Sequence, residues 1–271
     1  MNPIGCTTAM FRGDLAEKLQ AIRQAGFSHI EFLSRDLFES LRGPEYALSL
    51  LQDSGLEISC FQLVRDYEGA PRSEMASRMG VIRQLFDQMD FVGADLLILC
   101  ANTADNAIED ADTLGEDLLR LAEFAASRGK RIAYEALGWA RWMSDYRDAW
   151  QLIRRVNHPA LGVMLDSSHI GSLGLPFDGI ADIDPAKIFL AEVADLPLTR
   201  LDNAELSRFY RLLPGEGMLQ LDRFVGELDK LGYAGVYSLE VFNDHYRNLD
   251  PGPMAKRAHA SMQRLLNRTD S

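Results

Sequence analysis

Residues 161–169 read LGVMLDSSH. An uninterrupted apolar run ends in an aspartate, and a histidine follows three positions later. A parallel strand buried on both faces has this unbroken apolar character. Its C-terminal end would deliver Asp166 to the mouth of the sheet. The same arrangement recurs with Glu135 in RIAYEA (131–136), Glu192 in IFLAEVAD (188–195) and Glu240 in VYSLEVFND (236–244). One acid at a strand end is ordinary. Four, from four strands, would converge on a common axis if the sheet closes into a barrel. Unpaired carboxylates at close range repel, so a cation is the natural explanation.

Outward from these segments the chain alternates short aliphatic runs with longer amphipathic ones. Strands are predicted in 2–8, 27–33, 56–64, 94–101, 130–136, 161–166, 187–195 and 235–242. Helices are predicted over 14–26, 45–55, 73–93, 112–128, 145–157, 221–233 and 252–268, with a short Gly-interrupted one after Asp166. Several stop at a glycine (Gly26, Gly55, Gly93, Gly129), as helices commonly do. Eight β-then-α units of about 34 residues fit a (β/α)8 TIM barrel better than an open doubly wound sheet. No composition shift marks a boundary, so one barrel domain over 1–271 is expected. The longest segments expected to be non-helical are 65–73, 137–144 and 196–218. They follow strands three, five and seven, on the side where such a barrel carries its chemistry.

The 271 residues are 47% hydrophobic and carry a formal net charge of −12. Without a basic cluster, that charge disfavours nucleic acid and anionic membranes as partners. The longest apolar stretch, 91–101, is too short to span a bilayer and contains Asp95, and the start of the chain has no signal-peptide pattern. A soluble, cytoplasmic protein is the default expectation, with its oligomeric state open. LNRTD (266–270) reads as a solvated tail. Cys6, Cys60 and Cys100 are odd in number and lie in apolar strands, which points to buried reduced thiols. Walker A, GxGxxG, HExxH, CxxC and GxSxG patterns are absent.

Glu135, Asp166 and Glu240, with Glu192 as a fourth candidate, make an oxygen-rich set. It suits Mg²⁺, Mn²⁺ or Co²⁺ better than structural zinc. Asp195 competes with Glu192 for that role. In D-S-S-H the aspartate can meet a metal with His169 one turn above; alternatively Asp166 caps a helix and His169 is solvated. Arg65 and Arg211 are either ion-pair partners of these acids or a fork for an anionic substrate. Trp139 and Trp142 either wall a substrate or fill the rim. His29, His158, His245 and His259 read as structural or solvated.

The set YEA, LDSSH, the acid of strand seven and SLEVFND resembles the xylose isomerase-like barrel superfamily. The stretches FQLVRDYEG, RIAYEALGWARW, HPALGVMLDSSH, SRFYRLLPGEG and SLEVFNDHYR are similar to the bacterial 3-dehydroshikimate dehydratase family. The resemblance implies a divalent-metal-dependent lyase acting on a small anionic ring acid. Glu135, Asp166, Glu192 and Glu240 would hold the metal, and Arg65, Ser207 and Arg211 the substrate. His169 would transfer a proton, with Glu135 and Glu240 as further catalytic acids. Two departures stand out. Glu192 replaces the family's usual Gln and adds a negative charge to the site, and IEFLSRD (30–36) replaces an IEIFEND-like segment. Many relatives carry a second, dioxygenase-like domain, and none is expected here. Other readings are a sugar or keto-acid isomerase or epimerase using Glu135 and Glu240 as bases, and an inactive barrel serving as a binding protein.

Overall fold

A computed structural model describes residues 2–39 and 42–267. Eight parallel strands close into a barrel in sequence order: β1 (Ile4–Thr7), β2 (His29–Leu33), β3 (Glu57–Arg65), β4 (Leu96–Cys100), β5 (Arg131–Glu135), β6 (Leu161–Asp166), β7 (Ile188–Val193) and β8 (Tyr237–Leu239). β1 pairs with both β2 and β8, which seals the ring. The expected (β/α)8 architecture is thus present.

The helices are α1 (Leu15–Ala25), α2 (Ser34–Phe38), α3 (Pro44–Ser54), α4 (Met75–Val92), α5 (Ala111–Ser127), α6 (Tyr146–Val156), α7 (Ser167–Ser172), α8 (Asn203–Phe209), α9 (Leu221–Lys230), α10 (Asp244–Arg247) and α11 (Pro251–Asn267). Local chemistry sets their ends. Asp14 accepts from the Glu17 amide at 2.9 Å while Glu17 accepts from the Asp14 amide at 3.1 Å, a reciprocal cap that starts α1. Gly26, at φ 104°, ends it. No helix among the described residues is long and apolar enough to cross a membrane.

Strand parity divides the core. Leu96, Ile98 and Cys100 of β4 join Ala133, Met164 and Leu190 in a small cluster inside the barrel. Leu97, Leu99, Ile132, Val163, Leu165 and Ala191 join the main core between strands and helices. Side chains alternate with period two. Glu135 therefore shares the inward face with Ala133, Asp166 with Met164, and Glu192 with Leu190. All three cysteines are free and buried, as expected.

Two expectations are corrected. Segment 196–218 is not wholly irregular, because α8 lies within it. The Asp202 carboxylate accepts from the Ala204 amide at 2.9 Å and nucleates that turn, a local cap outweighed in the sequence by the surrounding Pro and Gly. LNRTD is not all tail: Leu266 is buried in α11, where it continues the helix's apolar face, and residues 268–270 lie outside the described residues. α2 and α10 are further short helices that the hydrophobic pattern does not foreshadow.

The loop after β3 is held by its neighbours. Asp66 accepts from the Thr103 amide at 2.7 Å, and Glu68 from the Asn102 amide at 2.7 Å and the Tyr134 hydroxyl at 2.9 Å. Gly69, at φ 66°, lies so close to Leu114 and Ile108 that a Cβ would meet them at 2.6 and 2.9 Å. The second Glu68 oxygen is buried with no hydrogen-bond partner. Burial pushes this carboxyl up to about 7, against the hydrogen bonds that favour its charge. A folded-state value above the unfolded one means that the folded chain holds a proton the unfolded chain releases. Stability is then fully present below about pH 4.5 and is lost as pH rises through about 7. Glu68→Gln, which cannot ionise, should melt progressively higher than wild type between pH 5 and 7, with the gap levelling off above (~1.4 kcal/mol per pH unit at most). Melting curves across that range that stay parallel for the two proteins would contradict this.

Candidate active site

The strand-end acids meet inside the mouth of the barrel. Glu135 closes β5 and Asp166 closes β6. Glu192 pairs in register with Asp166. Glu240 follows β8, and its amide continues the ladder by donating to Val193 O at 3.2 Å. All four are buried. They form two groups rather than one ring: Glu135, Asp166 and His169, and then Glu31, Glu192 and Glu240, each with ligand atoms within 4.8 Å of one another.

Glu31, on β2, was missed in the sequence. It is fully buried and hydrogen-bonded by the Ser238 hydroxyl and the Gln62 side-chain amide. The Gln62 amide also donates to Glu240 Oε1 at 2.9 Å. The signal was a lone acid in the apolar run of FSHIEFL, in the middle of a strand rather than at its end.

Cations and donors balance these acids unevenly. The Arg211 guanidinium is buried, with Nη1 2.9 Å from Asp166 Oδ2 and 2.9 Å from Glu240 Oε2. His169 Nε2 lies 3.3 Å from Glu135 Oε1 and 3.4 Å from Asp166 Oδ2. Its ring meets Trp139 edge-on, centroids 5.0 Å apart. The Cys100 thiol donates to Glu135 Oε2 at 3.0 Å. Asp166 Oδ1 caps α7 through the Ser168 amide at 2.7 Å, as the capping reading expects, but His169 is buried rather than solvated and faces the other Asp166 oxygen. Asp166 Oδ2 and both Glu192 oxygens are buried with no hydrogen-bond donor.

The electrostatics follow from this. Burial, then the Glu240 charge, pushes the Glu31 carboxyl well above the ordinary range. Glu192 is raised by burial and by the charges of Glu240, Glu31, Glu135 and Asp166. Burial raises Glu240 too, although Arg211 pulls against it. Burial also acts to raise Asp166, but Arg211 and His169 outweigh it and hold the group below its usual value.

The remaining candidates separate clearly. Asp195 accepts from the amides of Leu196, Gly215, Gly217 and Leu219 at 2.9–3.0 Å, and so it builds the following loop rather than the site. Ser207 accepts from Arg211 Nη2 at 2.7 Å. Arg211 is an ion-pair partner here, whereas the half-buried Arg65 has an Nε with no hydrogen-bond partner. Trp142 fills the rim, donating to Ala107 O at 3.1 Å. His245 is exposed.

A family model described as a xylose isomerase-like TIM barrel matches residues 19–266. The chain is 38% identical over 259 residues to a 3-dehydroshikimate dehydratase of Pseudomonas putida, covering 96% of this chain and 40% of that protein. It is 42% identical over 240 residues to one of Pseudomonas aeruginosa, covering 89% and 38%. It thus spans about two fifths of the length of these curated relatives. A solved xylose isomerase-like TIM barrel/4-hydroxyphenylpyruvate dioxygenase fusion protein superposes with a TM-score of 0.95 at 37% identity, over 98% of this chain and 43% of that one. A second, an IOLI protein solved with a zinc atom, has a TM-score of 0.86 at 18% identity over 99% of each chain and shares the fold.

The Gln62 side-chain amide serves two of the buried acids, Glu31 and Glu240. Gln62→Leu should lower stability by about 1–3 kcal/mol, the cost of leaving buried acceptors without a donor. Urea denaturation reads the change, and a loss too small to measure would show that Gln62 does not hold Glu31 and Glu240.

Proposed function

The chain belongs to the xylose isomerase-like TIM barrel family, and on that premise we propose that it is a divalent-metal-dependent lyase that dehydrates 3-dehydroshikimate to protocatechuate. What carries the reading is the match to the two Pseudomonas 3-dehydroshikimate dehydratases across nearly the whole of this chain.

The residues fit a metal. Three buried carboxylate oxygens, one on Asp166 and two on Glu192, have no hydrogen-bond donor. A cation satisfies such oxygens, and an all-carboxylate set suits Mg²⁺, Mn²⁺ or Co²⁺. Glu135, Asp166, Glu192 and Glu240 would hold it. When bound, the ion supplies positive charge against the negative charge that builds on a ketone oxygen as the adjacent carbon loses its proton.

The chain's own groups do the rest. His169, placed by Glu135 and Asp166 and packed under Trp139, takes the proton from the carbon next to the ketone. Returned to the hydroxyl on the next carbon, that proton leaves with it as water. The ring then tautomerises to the aromatic product. Arg65 and Arg211, the latter braced by Ser207, hold the ring carboxylate and set the orientation. A neutral sugar would leave the buried Arg65 Nε unpartnered, which favours a ring acid over the ketose of an isomerase.

Protein loaded with Mg²⁺, Mn²⁺ or Co²⁺ should release protocatechuate from 3-dehydroshikimate, and a chelator should abolish this reversibly. His169→Ala should lower kcat by roughly 100-fold or more. Arg65→Met should act mainly by raising KM. Metal-loaded protein that forms no protocatechuate would refute the assignment.

A further inference from the structure

One atom of Arg211 faces more oxygens than it can serve. Nη1 carries two hydrogens and lies within 3.0 Å of three acceptors: Glu240 O at 3.0 Å, Glu240 Oε2 at 2.9 Å and Asp166 Oδ2 at 2.9 Å. The two hydrogens go to the Glu240 oxygens, and Asp166 Oδ2 receives charge without a hydrogen bond. Asp166 and Glu240 are also two of the four acids assigned above to the metal. A guanidinium and a divalent ion on the same carboxylates repel each other and compete for the same oxygens.

The rest of the guanidinium is anchored elsewhere. Nε donates to Ser207 O at 2.9 Å and to Ser207 Oγ at 3.2 Å, and Nη2 donates to Ser207 Oγ at 2.7 Å. Ser207 rides on α8, and the Phe242 ring lies 5.2 Å from the guanidinium carbon. The backbone around Arg211 is pinned by bridges from Leu212 to Asp195 and from Tyr210 to Asn243. Nη2 also lies 3.4 Å from His169 Nε2, and Nη1 is the end of the group that faces the two acids.

We propose that Arg211 links metal and substrate: it is the internal competitor of the cation, and the carboxylate of an anionic ring ligand draws it off Asp166 and Glu240. The inference rests on the four acids being the metal site and on Arg211 being a carboxylate-binding arm. Each ligand then relieves the other's penalty. By thermodynamic reciprocity the cation tightens the ring acid by the same factor as the ring acid tightens the cation. Arg211 is thus a positioning residue for the metal as well as a contact for the substrate.

The test is Mn²⁺ affinity, measured by competition with a fluorescent chelator and so without turnover. The probe for the ring acid is shikimate, a ring carboxylate that lacks the ketone. Arg211→Met should bind Mn²⁺ at least tenfold more tightly than wild type. Arg211→Lys, which keeps a charge but loses the fork, should fall between them and serves if the Met variant does not fold. Shikimate should tighten Mn²⁺ binding to wild type several-fold and leave Arg211→Met unchanged. Equal Mn²⁺ affinities in wild type and both variants would overturn the linkage and leave the metal site standing, as would a shikimate titration that does not move the wild-type affinity. Failure of every form to bind Mn²⁺ would overturn the metal reading and this inference together.

Discussion

Among the described residues, five carboxyl groups at or just beyond five strands share the barrel mouth with the buried Arg211 guanidinium and the His169 imidazole. That charge imbalance is the constraint on which the rest of the mouth depends. Burial alone raises the free energy of each ionised acid, and like-charge neighbours raise it further. Arg211 relieves Asp166 and Glu240, Gln62 relieves Glu31 and Glu240, and Cys100 and His169 attend Glu135. Glu192 receives none of this. The least compensated acid therefore lies beside Asp166, on the adjacent strand and in register with it.

The scaffold explains why the acids cannot move apart. In a closed barrel each strand is fixed by two neighbours, so parity is set for the whole ring. The residues two positions earlier, Ala133, Met164 and Leu190, pack inside, and each acid inherits their direction. Below the mouth the interior is lined by apolar side chains such as Leu96, Ile98, Ala133 and Leu190, which offer no hydrogen bonds to a misplaced carboxylate. The strand-end acids are therefore confined to the last layer of the strands, beside Trp139, Ser207 and Arg211.

The sequence made the barrel and most of the mouth legible because both depend on short-range pattern. Unbroken apolar runs marked the strands, glycines marked helix ends, and strand-end acids marked Glu135, Asp166, Glu192 and Glu240. Glu31 escaped because its strand runs on past it, so position within the run, which served for the others, pointed away from it. Register would have found it: Glu31 stands beside Cys60 of β3 and Thr7 of β1, and register is not written in any one strand. The choice between Glu192 and Asp195 also turned on parity. Three residues apart, they cannot share a face of one strand, and Asp195 spends its oxygens on backbone amides.

Arg211 marks the limit of that local reading. Its neighbours in sequence, SRFYRLLPGEG, allow an exposed arm and a buried ion pair equally. What selects the buried pair is non-local: Leu212 pairs with Asp195, Tyr210 pairs with Asn243, and Ser207 on α8 holds the guanidinium. These contacts tie the loop after β7 to the segment after β8, beside the acids of both strands. An arginine fixed in that way feels every change of charge at the mouth, because it is already part of the charge balance there. On the proposed function, holding a substrate and balancing the acids are two demands on the same two N–H groups, and the site meets one fully only as another cation or anion takes over the other.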